Sequence, residues 1–428
     1  MTPDLPVERI RVAVVGGGPS GLTAAAALAG LVDGEVRVIE RDDATGGIPR
    51  HSDHLGYGVR DLRRFVSGPA YARRLTDTAR DAGAVLETGA QVTGWAGDRR
   101  MLVTSPRGRH LVEADAVVLA TGARERPRPA RRIAGDRPDG VYTTGELQQL
   151  VHLLHAGVGR RAVVVGAELV SWSAVLTLRA AGCRTVAMTT GGDRSEAYLA
   201  FRALGRTLLR TPVLPRTRVV HVRGRERVES VTVEHLDTGV RRELACDTVV
   251  TTGDWVPDHE LVRLGTIDLD RATLGPVVDT SLRTSATGVF AVGNLVHPVD
   301  TADGAALDGR HVAAGVLAHL QGRSPAAATV EVEVAAPFRW VTPQRLVPGV
   351  EAPRGDLLLW TDRYRRFPVV RAVQGGRVLA RKRIAWPAAP GRVFRVPADL
   401  VSTALHTGGP VVLHLEGGAQ GRAGGDAP

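Results

Sequence analysis

The stretch RVAVVGGGPSG, residues 11–21, constrains this chain more than any other. A short apolar strand, 12–15, runs into a glycine turn and then into an alanine-rich segment, 21–29, which reads as a helix because Ala and Leu fill nearly every position. Gly16, Gly18 and Gly21 stand at the spacing G-x-G-x-x-G. The first permits the sharp turn, the second lets a pyrophosphate approach the backbone, and the third lets helix pack on strand. Pro19 and Ser20 open the helix, whose unpaired N–H groups and partial positive charge face the phosphates. A second strand, 35–39, ends at Glu40, 24 positions after Gly16, near the spacing of an acid that accepts hydrogen bonds from ribose hydroxyls; Arg41 follows it. Strand, turn, helix and acid in this order predict a dinucleotide site.

At 428 residues the chain is too long for one ordinary domain, and two or three are expected. A net charge of +10 would suggest an acidic partner, but Lys382 is the sole lysine and no basic run is interleaved with aromatics. A solvated arginine surface is therefore expected, and nucleic acid is not an expected partner. Cys183 and Cys246 form no C-x-x-C, which removes a dithiol centre, a cysteine-held iron–sulfur cluster and a disulfide scaffold; both are expected as small buried residues, and no metal site is predicted. The first nine residues include Asp4, Glu8 and two prolines, unlike a signal peptide, and no apolar run approaches a membrane span. A cytoplasmic protein is expected.

After Glu40 comes a broken, Gly- and His-rich loop, 44–61. Its Gly46-Gly47 pair suits close approach of backbone to a planar ring, and Arg50, His51, His54 and Tyr57 follow as candidate substrate-side residues. A helix over 68–82 and strands over 84–87, 91–94, 100–104, 110–112 and 116–122 are predicted, the last closed by Thr121-Gly122. Next comes a second mononucleotide fold: strand 161–165, helix 171–181, strand 185–188. Its fingerprint is degraded. With Gly166 as first glycine, Glu168 stands where the second belongs and Ser171 at the third, so a carboxylate meets the place of a pyrophosphate; no ribose acid follows the strand either. Weak or absent NAD(P) binding is the expectation. Beyond residue 325, strands at 330–334, 356–360, 369–373, 377–384, 393–396 and 411–415 predict a small β domain, with Trp340, Trp360 and Trp386 as its core and 417–428 as a flexible tail.

GGGPSG, Glu40, the Gly46-Gly47 pair, ATG at Ala120–Gly122 and TGVFAVGN at Thr287–Asn294 occur in an order that resembles flavoproteins with two dinucleotide-binding domains. That class includes thioredoxin reductase and the pyridine nucleotide–disulfide oxidoreductases, and the resemblance spans residues 9–322. It implies FAD in the first site, with Gly16, Gly18, Ser20 and Gly21 at the pyrophosphate, Glu40 at the adenosine ribose and the Val92 backbone at the adenine. Ala120, Thr121 and Gly122 would pack beside the cofactor. Where most of the class ends the late motif in Gly-Asp, this chain has Gly293-Asn294, which keeps an acceptor for the ribityl chain while adding a donor and losing a charge. A last helix, 304–320, N-capped by Asp303, would aim its positive end at the flavin ring. GAELVSWSA, Gly166–Ala174, also resembles the larger flavin subunits of opine oxidase and hydrogen cyanide synthase, which oxidise C–N bonds and pass electrons between subunits; the iron–sulfur cysteines of several such subunits are missing here.

The predicted fold is therefore α/β: a Rossmann-like FAD domain in two segments (1–135 and 266–325), an inserted nucleotide-binding-like domain (136–265) and a C-terminal β domain (326–416). The predicted activity is hydride transfer between a small, amine- or amino-acid-like substrate and flavin, with electrons passed to a separate acceptor or partner subunit. The alternatives are an NAD(P)H-dependent reductase and a non-catalytic assembly subunit. His51 or His54, titrating near neutrality, would take the proton; Arg50 would hold a substrate carboxylate; Tyr57 and His297 would stand beside them.

Overall fold

The computed structural model describes residues 5–195, 197, 211–323 and 329–416; the expected tail over 417–428 lies outside them. The fingerprint strand, Val7–Val15, is buried throughout its second half, as a parallel strand covered on both faces must be. It lies between Val36–Ile39 and the long strand Gly108–Leu119, in a seven-stranded sheet.

That long strand replaces the two short ones expected at 110–112 and 116–122. Alternation of small and polar residues through Glu113–Asp115 reads as a break in the sequence, but the strand continues because its two halves have different neighbours. Its first half pairs antiparallel with Arg100–Ser105, and its last residues pair parallel with Val289–Ala291. The chain thus returns after residue 266 to complete the sheet it began.

The glycine-turn helix, Pro19–Ala29, starts with proline, whose missing N–H costs nothing at a helix N-terminus. It packs on the closing helix, Ala302–Leu320. The closing helix begins two residues earlier than expected, with Thr301 as N-cap; Asp303 lies in its first turn and accepts from the Gly304 N–H at 2.9 Å.

The inserted unit has a five-stranded parallel sheet in the order Val141–Thr143, Thr248–Thr251, Arg161–Val165, Arg184–Thr189, Val213–Leu214. Its helix spans Leu169–Ala180, and a four-stranded sheet flanks it. The chain enters and leaves this unit on paired antiparallel strands, Ala123–Glu125 and Trp255–Pro257. The C-terminal β unit has a five-stranded and a three-stranded sheet. Its core buries Leu357, Leu359, Val370, Phe394, Val396 and Leu413. It includes Phe338–Thr342, a strand not foreseen from sequence.

The β unit is docked on the closing helix by charge. Arg354, on the turn before strand Asp356–Thr361, reaches Asp308 at 3.0 Å and donates to the Gly304 carbonyl at 2.7 Å. Arg395 contacts both Asp300 carboxylate oxygens at 3.3 Å. Asp308 also accepts from the Gly293 N–H (3.0 Å) and contacts His297 Nε2 (2.5 Å). Burial alone would raise the Asp308 carboxyl, but Arg354 and His297 outweigh it and hold the group well below the usual carboxylate range.

Candidate active site

One cavity of about 1310 Å³ runs along the C-terminal ends of the parallel strands and is walled by all three units. Gly16, Gly18, Pro19 and Ser20 line it, with Glu40, Arg41, Gly47, Val92, Ala120, Thr121, Gly122, Asn294 and Asp303.

The three fingerprint glycines have different duties. A Cβ on Gly21 would meet the Gly16 carbonyl oxygen at 2.0 Å, and one on Gly16, at φ +106°, the Ala120 carbonyl oxygen at 2.5 Å; both serve packing. Gly18, at φ −80°, would meet no atom within 4 Å. The fold does not need glycine at 18, but a ligand lying on the helix N-terminus does. Glu40 is buried beside this turn, its carboxylate fixed by the Gly17 N–H at 2.7 Å and the Asp42 N–H at 2.9 Å. The chain's own residues thus fit a dinucleotide's pyrophosphate and ribose.

Several expected site residues lie elsewhere. Gly21, Gly46 and Gly293 do not line the cavity. Arg50 turns away to Asp43 at 2.8 Å and Asp42 at 3.5 Å, so it does not offer its guanidinium to a substrate. His297 is 1% exposed and outside the lining, held between Asp308 and Asp300. Asn294 lines the cavity, but its amide brackets the following loop: Nδ2 donates to the Asp300 carbonyl (3.0 Å) and Oδ1 accepts from the Asp300 N–H (3.2 Å).

His51, His54 and Tyr57 do line the cavity. Burial, with the Arg50 charge beside it, pushes His51 down to about 4, and burial also lowers His54. His51 therefore does not titrate near neutrality, contrary to the expectation, and burial shifts His54 in the same direction. His51 is 4% exposed and its Nδ1 has no partner among the described residues. His54 Nδ1 lies 2.9 Å from the Leu55 carbonyl, which makes Nδ1 the protonated nitrogen and leaves Nε2 to accept from Ser173 Oγ at 2.7 Å. Gln148 donates to the same Oγ at 2.8 Å. Burial holds the Tyr57 hydroxyl at about 12.

The depressed His51 carries a pH signature. Below about pH 6.5 the unfolded chain takes up a proton that the folded chain refuses until about pH 4, so stability falls through that window as pH falls. The loss is about 3 kcal/mol at roughly 1.4 kcal/mol per pH unit of displacement. Urea unfolding at about pH 7 and about pH 4.5 should show this loss, reduced by most of that amount in His51→Gln; an unchanged difference would place His51 in water.

The degraded second fingerprint is resolved by Glu168. It is the N-cap of helix Leu169–Ala180, with its carboxylate accepting from the Ser171 N–H and its own N–H donating to Ser171 Oγ at 3.1 Å. The carboxylate packs against Gly253, beyond strand Thr248–Thr251, where a Cβ would meet it at 2.0 Å, and it occupies the helix N-terminus where a second dinucleotide would place phosphate. The neighbouring helix, Thr144–His152, is treated alike: Glu125 accepts from the Gly145 N–H at 3.1 Å, Thr144 Oγ1 at 2.8 Å and the Gly253 N–H at 3.0 Å. Two helix ends of the inserted unit therefore already carry a carboxyl group from the chain itself, that of Glu125 pushed up by burial.

Sequence reasoning missed Arg60, Trp340, Trp360 and Arg395, all of which line the cavity. The two tryptophans stack at 6.3 Å and are not simply core; Trp386 is 44% exposed. Cys183 and Cys246 are buried away from the cavity, and burial pushes both thiols up to about 11, so no thiol stands ready beside the site.

Two dinucleotide-type units are thus joined by the paired strands Ala123–Glu125 and Trp255–Pro257. The profile of the pyridine nucleotide-disulphide oxidoreductases matches residues 10–309, and the chain belongs to that family. It is an FAD-dependent oxidoreductase. The ferredoxin–NAD(+) reductase component of the benzene 1,2-dioxygenase system of Pseudomonas putida is 28% identical over 298 residues, 66% of this chain and 66% of that protein. A subunit of the opine oxidase of Rhizobium meliloti is 24% identical over 353 residues, covering 74% and 62%. This chain thus spans about two thirds of the length of these relatives. The solved thioredoxin reductase of T. acidophilum shares the fold at a TM-score of 0.61 and 19% identity, covering 74% of this chain and 99% of that one. Among the described residues, no helix is long and apolar enough to cross a membrane.

Proposed function

We propose that this chain oxidises a small amine- or amino-acid-like molecule and delivers the electrons to a separate acceptor or partner subunit. The observation that carries the reading is Glu168 capping the helix of the second dinucleotide fold with its own carboxylate, which disfavours nicotinamide nucleotide as the electron source. The two cysteines, both buried and neither lining the cavity, make disulfide chemistry equally unfavourable. Similarity to the opine oxidase of Rhizobium meliloti supports both the substrate class and the need for a partner.

Gly16, Gly18 and Ser20 would hold the FAD pyrophosphate and Glu40 its ribose. FAD supplies a two-electron acceptor when bound. The positive end of helix Ala302–Leu320 favours negative charge at the cavity floor, and Arg60, whose N–H donates to Asp303 at 2.9 Å, offsets the carboxylate there. His51 lines the cavity, is kept neutral by burial and has no partner at its buried Nδ1, and it would take up the proton leaving the substrate. His51→Ala should slow flavin reduction at saturating substrate by about 10² to 10⁴ while FAD content stays at the parent level. Anaerobic titration with amino acids and opines tests the reading: at least one should bleach the flavin, and bleaching by none of them would remove it.

The similarity to a ferredoxin–NAD(+) reductase supports a second reading, NAD(P)H-dependent reduction of the flavin. It requires the Glu168 carboxylate to leave the helix end when the nucleotide arrives.

A further inference from the structure

We infer that the C-terminal β unit forms the recognition wall for the substrate, and that the wall selects a carboxylate on an apolar body. The inference rests on the reading above only in that a small molecule fills this cavity. Trp340, Trp360, Arg339, Arg392 and Arg395 of this unit line the same cavity as the fingerprint glycines. Trp340 is 5% exposed and stacks on Trp360 with a 19° angle between rings.

Among the described residues, neither of these two indole N–H groups finds an acceptor. Three other indoles of the chain are satisfied by protein: Trp95 donates to the Leu261 carbonyl (2.8 Å), Trp386 to the Arg395 carbonyl (3.0 Å) and Trp172 to Ser195 Oγ (3.4 Å). An indole donor in a cavity wall without a protein acceptor is a place for a ligand's oxygen. Tryptophan and arginine side chains donate and never accept. The one acid this unit brings to the cavity, Asp362, is taken by Arg339 at 2.6 Å, and Arg395 is paired with Asp300 of the preceding loop at 3.3 Å. A wall made of donors matches a group that only accepts, and among small metabolite groups a carboxylate does so with two oxygens and a charge. The ring faces and Val393 beside them suit an apolar body.

The FAD-loaded protein is titrated, with tryptophan fluorescence and calorimetry as readouts, against L-proline, L-phenylalanine, L-glutamate and their N-(1-carboxyethyl) derivatives. The tightest of these is then compared with its own primary amide. The amide should bind about tenfold or more weakly, since a hydrogen bond to a charged acceptor is lost. Trp360→Phe keeps the ring and removes the N–H; it and Arg392→Gln should each weaken the carboxylate about tenfold at unchanged flavin content. Equal affinity for acid and amide, parent-like binding by both variants, or no binding by any of the six acids up to about 10 mM would overturn the inference. Flavin bleaching in the same samples separates it from the proposed function: binding without bleaching removes only the latter, and bleaching by the amide at the rate of the acid removes only the former.

Discussion

Gly18→Val is expected to give a folded protein that purifies without colour. At φ −80° the position accepts any residue, and its side chain would project into the cavity and meet no protein atom within 4 Å. The strand and helix on either side therefore keep their packing, and the branched side chain stands only where backbone must meet pyrophosphate. Gly21→Val supplies the contrast. Its Cβ would begin 2.0 Å from the Gly16 carbonyl oxygen, so helix and strand must part and the protein itself should fail to accumulate. Circular dichroism and the visible spectrum of the purified proteins decide the matter. A yellow Gly18→Val variant would mean that the cofactor does not cross this turn.

Arg354→Ala should destabilise the protein by about 3–5 kcal/mol, the usual result of stranding one partner of a buried ion pair. Asp308 is fully buried, and its second oxygen has Arg354 as the neighbour that balances it at 3.0 Å. Arg354 also holds the first turn of the closing helix through the Gly304 carbonyl, so the loss falls on the element whose positive end faces the cavity. Arg354→Met with Asp308→Asn removes both charges and should recover part of the loss. Urea unfolding of the FAD-loaded proteins measures both. A single variant within about 0.5 kcal/mol of the parent would show that the β unit is not anchored here.

The first dinucleotide turn was legible in the sequence because each of its requirements is local: a turn, a close approach, an acid at the end of the next strand. The C-terminal unit was legible as strands but not as a cavity wall. What brings Trp340 and Trp360 to the site is a pair of contacts made far along the chain, Arg354 with Asp308 and Arg395 with Asp300, and no spacing announces them. Arg50 was misplaced for a related reason. Its nearest acids, Asp42 and Asp43, fold back onto it through the Gly46-Gly47 turn and satisfy it before any substrate arrives. The histidines showed their position but not their protonation, because burial depends on what the inserted unit lays over them; the oxygen that meets His54 is Ser173, 119 positions away. Glu168 was visible as a misfit in a glycine pattern. Only the structure gives it a task, that of capping its own helix.

The most direct measurement is anaerobic stopped-flow mixing of the FAD-loaded protein with NADH and with NADPH, following the visible flavin band, with Glu168→Gly as the comparison. The parent protein should keep its flavin oxidised on the timescale of ordinary turnover, about 1 s or longer. Glu168→Gly, with its helix end freed and Gly253 uncovered, should bind either nucleotide more tightly than the parent. Rapid, saturable bleaching of the parent by NADH or NADPH, at about 1 s⁻¹ or faster, would contradict the account and make this chain a nicotinamide-driven reductase.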